Sequence, residues 1–301
     1  MLKMYQAPDD IGAGSSAEYW ESVWSDEAFD EALRFCDVDP LRGLFEEFLK
    51  PGSLVLEGGC GRGQYVAYYT ARGVRVVGLD FATAALERLR RSHPRLRLCG
   101  GDVGRLPFRA SSFEAYYSGG VVEHFEAGPL DALREARRVL TDDGVLLVSV
   151  PYLSPLRALL SFSKSDRRRV DRARADSADA GRRFFQYAFT PGEFQGFLEQ
   201  AGFSVVKTQG YAIYFGLMEL PLAGRILGWA QRRRIGRPHR PGDGPVGTAP
   251  SPSPSPRPPS LAKRLLVSED VSVPLAGVPL RLLRWAAANM MMYVCTPSGP
   301  A

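Results

Sequence analysis

The chain has 301 residues, 45% hydrophobic and 24% charged, a balance that excludes a wholly disordered chain, a fibre and a disulfide miniprotein. Its net charge of +5 comes from 38 basic and 33 acidic residues, and 33 of the basic ones are arginine. Such an arginine bias, beside abundant alanine and proline, fits GC-rich coding and is weak evidence for a nucleic-acid partner. Cys36, Cys60, Cys99 and Cys295 lie far apart with no C-x-x-C pair, so neither a zinc site nor a disulfide framework is suggested, and a reducing cytoplasm fits. Met1–Asp10 has no apolar run behind a basic start, so no secretory signal is expected. No 18-residue stretch is free of both charge and proline, which argues against a membrane span.

Residues 16–50 read as helical, with Phe29, Leu33 and Phe35–Cys36 on one stripe and Leu41, Leu44, Phe45 and Leu49 on a second. Tyr19, Trp20 and Trp24 precede them, as a lid or as core. From Ser53 short β-branched runs alternate with helical ones. Strands are predicted at Ser53–Glu57, Val74–Leu79, Leu96–Gly100, Phe113–Ser118 and Val145–Val150. Helices are predicted at Gln64–Ala71, Ala82–Ser92 and Pro129–Leu140, with a turn at Thr141–Gly144. Near-continuous apolar strands between helices predict an α/β doubly wound, Rossmann-like parallel sheet. Ser161–Asp179 reads as a charged, partly helical excursion, followed by a helix at Glu193–Ala201 and a strand at Phe203–Thr208. Residues 236–260 are proline- and serine-rich and read as a linker. Apolar Leu261–Leu266, a helix near Leu280–Met290 and a last strand in Met291–Cys295 follow. The expected organisation is an N-terminal helical cap over 1–50, a core over 51–211, an insertion over 212–288 and the last strand and tail over 289–301.

The chemistry is concentrated where strands end. The first strand runs into Glu57-Gly-Gly-Cys-Gly-Arg-Gly63, a turn that lets backbone amides approach a ligand. A dinucleotide fingerprint starting at Gly61 would want a small residue at position 66, where Val66 stands. A carboxylate at Glu57 would repel a pyrophosphate and suits a cationic ligand. Asp80 closes the second strand, where a carboxylate can accept two ribose hydroxyls, and Asp102 follows the third, in reach of an adenine amino group. The implied ligand has a positive end, a ribose and an adenine, and no phosphate.

These motifs resemble those of the class I S-adenosylmethionine-dependent methyltransferases of the small-molecule type, strongly over residues 50–151 and more loosely over 185–211. The resemblance implies a seven-stranded sheet of order 3-2-1-4-5-7-6 with the last strand antiparallel. It also implies S-adenosyl-L-methionine as cofactor, held by Glu57, Gly58, Gly59, Gly61 and Gly63, by Asp80 with Phe81 on the adenine, and by Asp102 with Val103. Ser118-Gly-Gly-Val-Val-Glu-His-Phe125 resembles the family's stretch on the sulfonium side. Glutamate at 57 replaces the commoner aspartate, and residues 212–288 lie outside the common core.

On that footing the expected activity is methyl transfer to a small or lipid-like metabolite, most readily at oxygen, with N- or C-methylation as the alternative. His124, just after the fourth strand, is the candidate general base, weighed against a structural histidine; Glu123 beside it reads as structural. Tyr152, Phe184, Tyr187, Tyr211 and Tyr214 are candidates for walls of an acceptor pocket or for core. No metal site is expected. The basic run Gln231–Arg240 reads as a solvated linker rather than a nucleic-acid site. Apolar and basic residues in 212–240 and 280–292 could touch anionic lipid, which would place the protein in the cytoplasm, peripheral to a membrane. An oxidoreductase binding NAD(P), or a catalytically silent cofactor-binding module, are the readings from other classes.

Overall fold

The computed structural model describes residues 1–6, 17–24, 29–161, 183–220, 269 and 277–299. The sequence excursion beyond Ser161, the proline-rich stretch and Leu261–Leu266 lie outside the described residues.

The chain alternates strand and helix through its first half. Strand β1 (Leu2–Gln6) is followed by α1 (Ala17–Val23), α2 (Phe29–Phe35) and α3 (Arg42–Phe48). The core begins with β2 (Leu54–Gly58), α4 (Gln64–Thr70), β3 (Arg75–Asp80), α5 (Thr83–Ser92) and β4 (Arg97–Gly100). Next come β5 (Phe113–Gly119), α6 (Leu130–Val139), β6 (Leu140–Pro151) and a helix α7 over 155–161. The second half supplies β7 (Arg183–Ala188), α8 (Pro191–Gln200), β8 (Phe203–Tyr211), α9 (Ile213–Met218), α10 (Gly277–Ala287) and β9 (Met290–Pro297).

Seven strands form the main sheet in the order β4-β3-β2-β5-β6-β9-β8. Counted among these seven, that is 3-2-1-4-5-7-6. The pairs β4–β3–β2–β5–β6 are parallel, while β9 runs antiparallel to both β6 and β8. The order reverses between β2 and β5, and it is outside the carboxyl ends of strands flanking such a reversal that open α/β sheets form ligand crevices.

Side chains alternate between two cores, as a sheet covered on both faces requires. Leu56, Leu79, Tyr116, Leu146 and Val148 pack on one face with Leu133 of α6 and Phe194 of α8. Val55, Val76, Tyr117, Leu147 and Val294 pack on the other with Phe45 of α3 and Val66 of α4. Helix α8 starts where Thr190 accepts from the Glu193 amide while Glu193 reaches back to the Thr190 amide, a capping box behind Pro191.

Two local expectations are corrected. Thr141–Gly144 is not a free turn between elements: β6 runs unbroken from Leu140, paired to Phe113, through Val145, paired to Ala115. The extra residues on the β6 side are absorbed as a bulge, which lets a turn-like sequence remain inside a strand. The helical start of the chain is also incomplete as a description, since Leu2–Gln6 forms a two-stranded antiparallel ladder with Arg183–Ala188.

Candidate active site

The glycine spacing has a conformational cause. Gly59, Gly61 and Gly63 all have positive φ, at 76°, 50° and 68°, a region side chains with a Cβ rarely enter. A Cβ would also strike a neighbour at each: Val121 at 2.3 Å, the Trp24 ring at 2.9 Å and Leu89 at 2.4 Å. The turn is stapled to β3, because Leu79 O accepts the Gly59 and Cys60 amides at 2.7 and 2.9 Å, and Asp80 Oδ2 accepts the Gly61 amide at 2.8 Å. The Gly63 amide donates to Cys60 O at 2.8 Å. These four amides therefore shape the loop rather than point at a ligand, which corrects the expectation that they would. A tight turn with three left-handed residues folds its own N–H groups inward.

The loop bounds a cavity of about 380 Å³ at the carboxyl ends of β2, β3 and β5. Its wall includes Glu57, Gly59, Gly61, Asp80, Phe81, Asp102, Val103 and His124, eight of the residues singled out from sequence. Glu57 is 4% exposed, and its Oε2 has no hydrogen-bond partner. Burial first, then the neighbouring Asp80 charge, pushes its carboxyl well above the usual carboxylate range. Asp80 accepts from the Ala82 amide at 2.9 Å as well as from Gly61; burial raises its pKa while these backbone bonds pull it down. Each of its oxygens keeps a lone pair for a further donor. Phe81 is 40% exposed, an aromatic face left open beside the cavity. Asp102 accepts the Gly104 amide at 2.8 Å through Oδ1.

Three of the sequence candidates stand behind the wall. Gly58 lies in β2 where a Cβ would meet the Tyr116 hydroxyl at 2.2 Å. Gly63 is the N-cap of α4. Ser118 is 1% exposed and donates to Gly58 O at 2.9 Å, tying β5 to β2 beneath the cavity. None borders the cavity. Side chains not singled out as binding residues do border it: Cys60, Arg62, Gln64, Tyr65 and Tyr117. The rule that open α/β sheets bind ligands beyond strand ends would have included Tyr117 on β5. Arg62 Nε and Gln64 Oε1 are buried without partners.

The roof is aromatic. Trp20 and Trp24 of the N-terminal segment border the cavity, stacked at 5.5 Å between centroids. Helix α1 is held there by Glu21 Oε1, which accepts the Ala84 amide at 3.2 Å, and by Arg62, which donates to Val23 O at 3.0 Å. Tyr19 packs edge-on against Trp20 and Phe185 rather than facing the cavity. Tyr152, Phe184, Tyr187, Tyr211 and Tyr214 do not border it. Tyr152 and Tyr187 are core, and the Tyr211 hydroxyl bonds Ser149 Oγ at 2.9 Å.

His124 sits on a 3-10 turn, Val122–His124, with Trp20 edge-on at 5.0 Å. Its Nδ1 is 2.8 Å from Phe185 O on β7. A carbonyl only accepts, so Nδ1 carries the proton and Nε2 keeps its lone pair. Burial lowers the imidazole pKa, keeping it neutral. Glu123 Oε1 lies 4.0 Å from Nε2, and burial pushes the Glu123 carboxyl up to about 8.

A family model described as "Methyltransferase domain" matches residues 56–148, the span from β2 to β6 that builds this cavity. A Mycolicibacterium smegmatis protein named "Probable S-adenosylmethionine-dependent methyltransferase" is 30% identical over 169 residues, 56% of this chain and 59% of the relative. The demethylmenaquinone methyltransferase of Beutenbergia cavernae is 34% identical over 116 residues, 38% of this chain and 48% of the relative. The mouse protein named "Probable tRNA methyltransferase 9B" is 36% identical over 103 residues, 34% of this chain and 22% of the relative. The chain thus spans about a fifth of the length of that tRNA methyltransferase and under two thirds of the other two. Among solved structures, phosphoethanolamine N-methyltransferase 2 of Haemonchus contortus, in complex with phosphomonomethylethanolamine and S-adenosylhomocysteine, superposes with a TM-score of 0.51 at 13% identity, covering 94% of this chain and 60% of that one. That likeness shows the fold. Strand order, site placement and family match together define a class I S-adenosylmethionine-dependent methyltransferase fold. Within that fold, residues 56–148 match the methyltransferase-domain family model.

Proposed function

We propose that the protein transfers the methyl group of S-adenosylmethionine to a small or lipid-like acceptor, at oxygen. The observation that carries the donor half is the unpartnered Glu57 Oε2 buried at the cavity wall. A carboxylate kept there at a cost in desolvation fits a ligand that brings its own positive charge. Asp80 then serves a ribose diol, with Phe81, Asp102 and Val103 around the adenine. Glu57 beside the glycine turn, and Val66 where a dinucleotide fingerprint wants a small residue, disfavour a nicotinamide dinucleotide.

When bound, the sulfonium supplies an already electrophilic methyl group. The protein's own work is placement and exclusion of water. Trp20 and Trp24 cover the cavity, and His124, with its proton fixed on Nδ1 by Phe185 O, offers Nε2 to an acceptor hydroxyl. Glu123 has a structural role behind it. N- or C-methylation would use the same donor half with a different demand on His124. We assign 1–50 as the cap, 51–211 as the core, 212–288 as an insertion and 289–301 as the last strand and tail, in a cytoplasmic protein. The relative named for tRNA matches about a third of this chain and only 22% of its own length, so that likeness carries little weight for the acceptor.

The test is turnover. Purified protein, radiolabelled S-adenosylmethionine and fractions of metabolite and lipid extract should yield a labelled small or lipid-soluble product, lost in Asp80→Ala. Label entering bulk tRNA, and no extract fraction, would overturn the acceptor class.

A further inference from the structure

Helix α10 is apolar on both sides. Leu280 and Ala287 are buried against the body of the protein. On the opposite side Val278, Leu282 and Trp285 follow at spacings of four and three residues, one stripe of a helix. They are 68%, 61% and 63% exposed. Large apolar side chains scattered singly need no explanation, but a continuous helical stripe of them does. Arg281 is exposed on the flank of this stripe.

The helix is firmly seated, so its outward stripe is not a fraying end. Glu269 accepts the Ile213 amide of α9 at 2.7 Å and the Arg284 guanidinium of α10 at 3.1 Å. Tyr152 donates to Trp285 O at 3.1 Å. Helices α9 and α10 meet so closely that a Cβ on Gly216 would lie 1.8 Å from Ala287 O. On α9, Phe215 is another aromatic side chain left 61% exposed. The chain leaves from α9 and returns at Glu269, and the sequence between carries Arg232, Arg233, Arg234, Arg237 and Arg240 against two acids, Glu219 and Asp243. A run of positive charge is thereby tied, through the chain, to this pair of helices. The end of α10 leads to Met290, whose Cε lies 3.9 Å from where a Gly120 Cβ would be, and Gly120 borders the cavity. Among the described residues no helix is long and apolar enough to cross a membrane.

We propose that the Val278–Leu282–Trp285 face of α10 docks on the surface of an anionic bilayer. A seated helix, an outward apolar stripe ending in tryptophan and flanking arginine is the arrangement that lies in a bilayer interface, and the arginine-rich stretch matches the charge of acidic headgroups. The inference deepens the lipid-like acceptor proposed above and rests on that reading for its purpose. Its test does not depend on turnover.

Full-length protein is floated with vesicles of phosphatidylcholine alone and with added phosphatidylglycerol, at low and high salt. Binding to the anionic vesicles, weakened by salt, is expected. Trp285→Ser and Leu282→Ser should each lower the partition about tenfold, as loss of one buried apolar side chain predicts. S-adenosylhomocysteine affinity should be unchanged in both, which separates a failed docking surface from a failed cofactor site. Equal binding to neutral vesicles would overturn the anionic assignment. Absence of binding to either, self-association abolished by the same substitutions, or retention of bulk tRNA in place of vesicles would overturn the proposal.

Discussion

Replacing Glu57 by glutamine should separate stability from binding, in opposite directions. Glu57 is 4% exposed with Oε2 unpartnered, and burial together with the Asp80 charge holds its carboxyl well above the usual range. The folded state therefore binds this proton more tightly than the unfolded chain does. Stability is fully present below the unfolded pKa of about 4.3 and falls as pH rises from there toward the folded pKa. Glutamine cannot ionise, so at neutral pH Glu57→Gln removes a penalty of about 1–3 kcal/mol, the range for a buried polar group left unsatisfied. Some of that remains because the amide is also polar; a gain of about 1 kcal/mol would raise the melting temperature of the unliganded protein by roughly 1–2 °C at 301 residues. The same change would remove the charge-assisted contact proposed for a cationic ligand, worth about 1.5–3 kcal/mol, or roughly a 10- to 150-fold loss of affinity. Melting curves from pH 5 to 8, with and without S-adenosylhomocysteine, read both effects. The variant should be more stable alone, flatter in pH, and less stabilised by ligand. A variant that is less stable alone, or that binds as tightly as the parent, would refute the assignment of Glu57 as the buried acid awaiting a positive charge.

Asp80→Ala should cost about a hundredfold or more in S-adenosylhomocysteine affinity by calorimetry, since it removes the proposed ribose acceptors and the staple to Gly61 together. His124→Gln should leave that affinity unchanged and lower kcat about 10²- to 10⁴-fold if His124 is the base; the acid limb of the pH–rate profile, inflecting below 6.5 because burial depresses the imidazole pKa, should vanish with it. Gly216→Ala forces α9 away from Ala287 O and should destabilise by about 1–3 kcal/mol in thermal melts. Gly196→Ala, inside α8 where a Cβ meets nothing within 4 Å, should stabilise by about 0.5–1 kcal/mol.

The alternation that announces a parallel sheet was plain, because Leu56, Leu79, Leu146 and Val148 are apolar for one reason: helices cover both faces. The sheet order followed from family resemblance, since nothing local in Met290–Pro297 states that it inserts between β6 and β8. The ladder of Leu2–Gln6 with Arg183–Ala188 was not legible: its partners are about 180 residues apart, and neither strand alternates strongly. Thr141–Gly144 misled because a bulge and a turn call for the same residues. In the site, Glu57, Asp80 and Asp102 were readable as acids at strand ends, and all three border the cavity. Gly58, Gly63 and Ser118 belong to the same motifs for a different reason. They fit the loop against Tyr116, Leu89 and β5 rather than bordering the cavity. Arg62, Gln64 and Tyr65 escaped notice because a loop or helix start gives no sign in sequence of which side chain turns inward. Trp20 and Trp24 could be read as lid or core from sequence; their place on the cavity wall is decided by Glu21 and Arg62, long-range contacts that no local pattern reveals.

The cavity between Glu57, Asp80 and Phe81 is predicted to take S-adenosylmethionine. Calorimetric titration of the purified protein with S-adenosylhomocysteine, with NADH in parallel, tests it most directly. Saturable one-to-one binding of S-adenosylhomocysteine with no heat from NADH is the predicted result. Binding of NADH, with S-adenosylhomocysteine silent, would contradict the methyltransferase reading and leave only the fold.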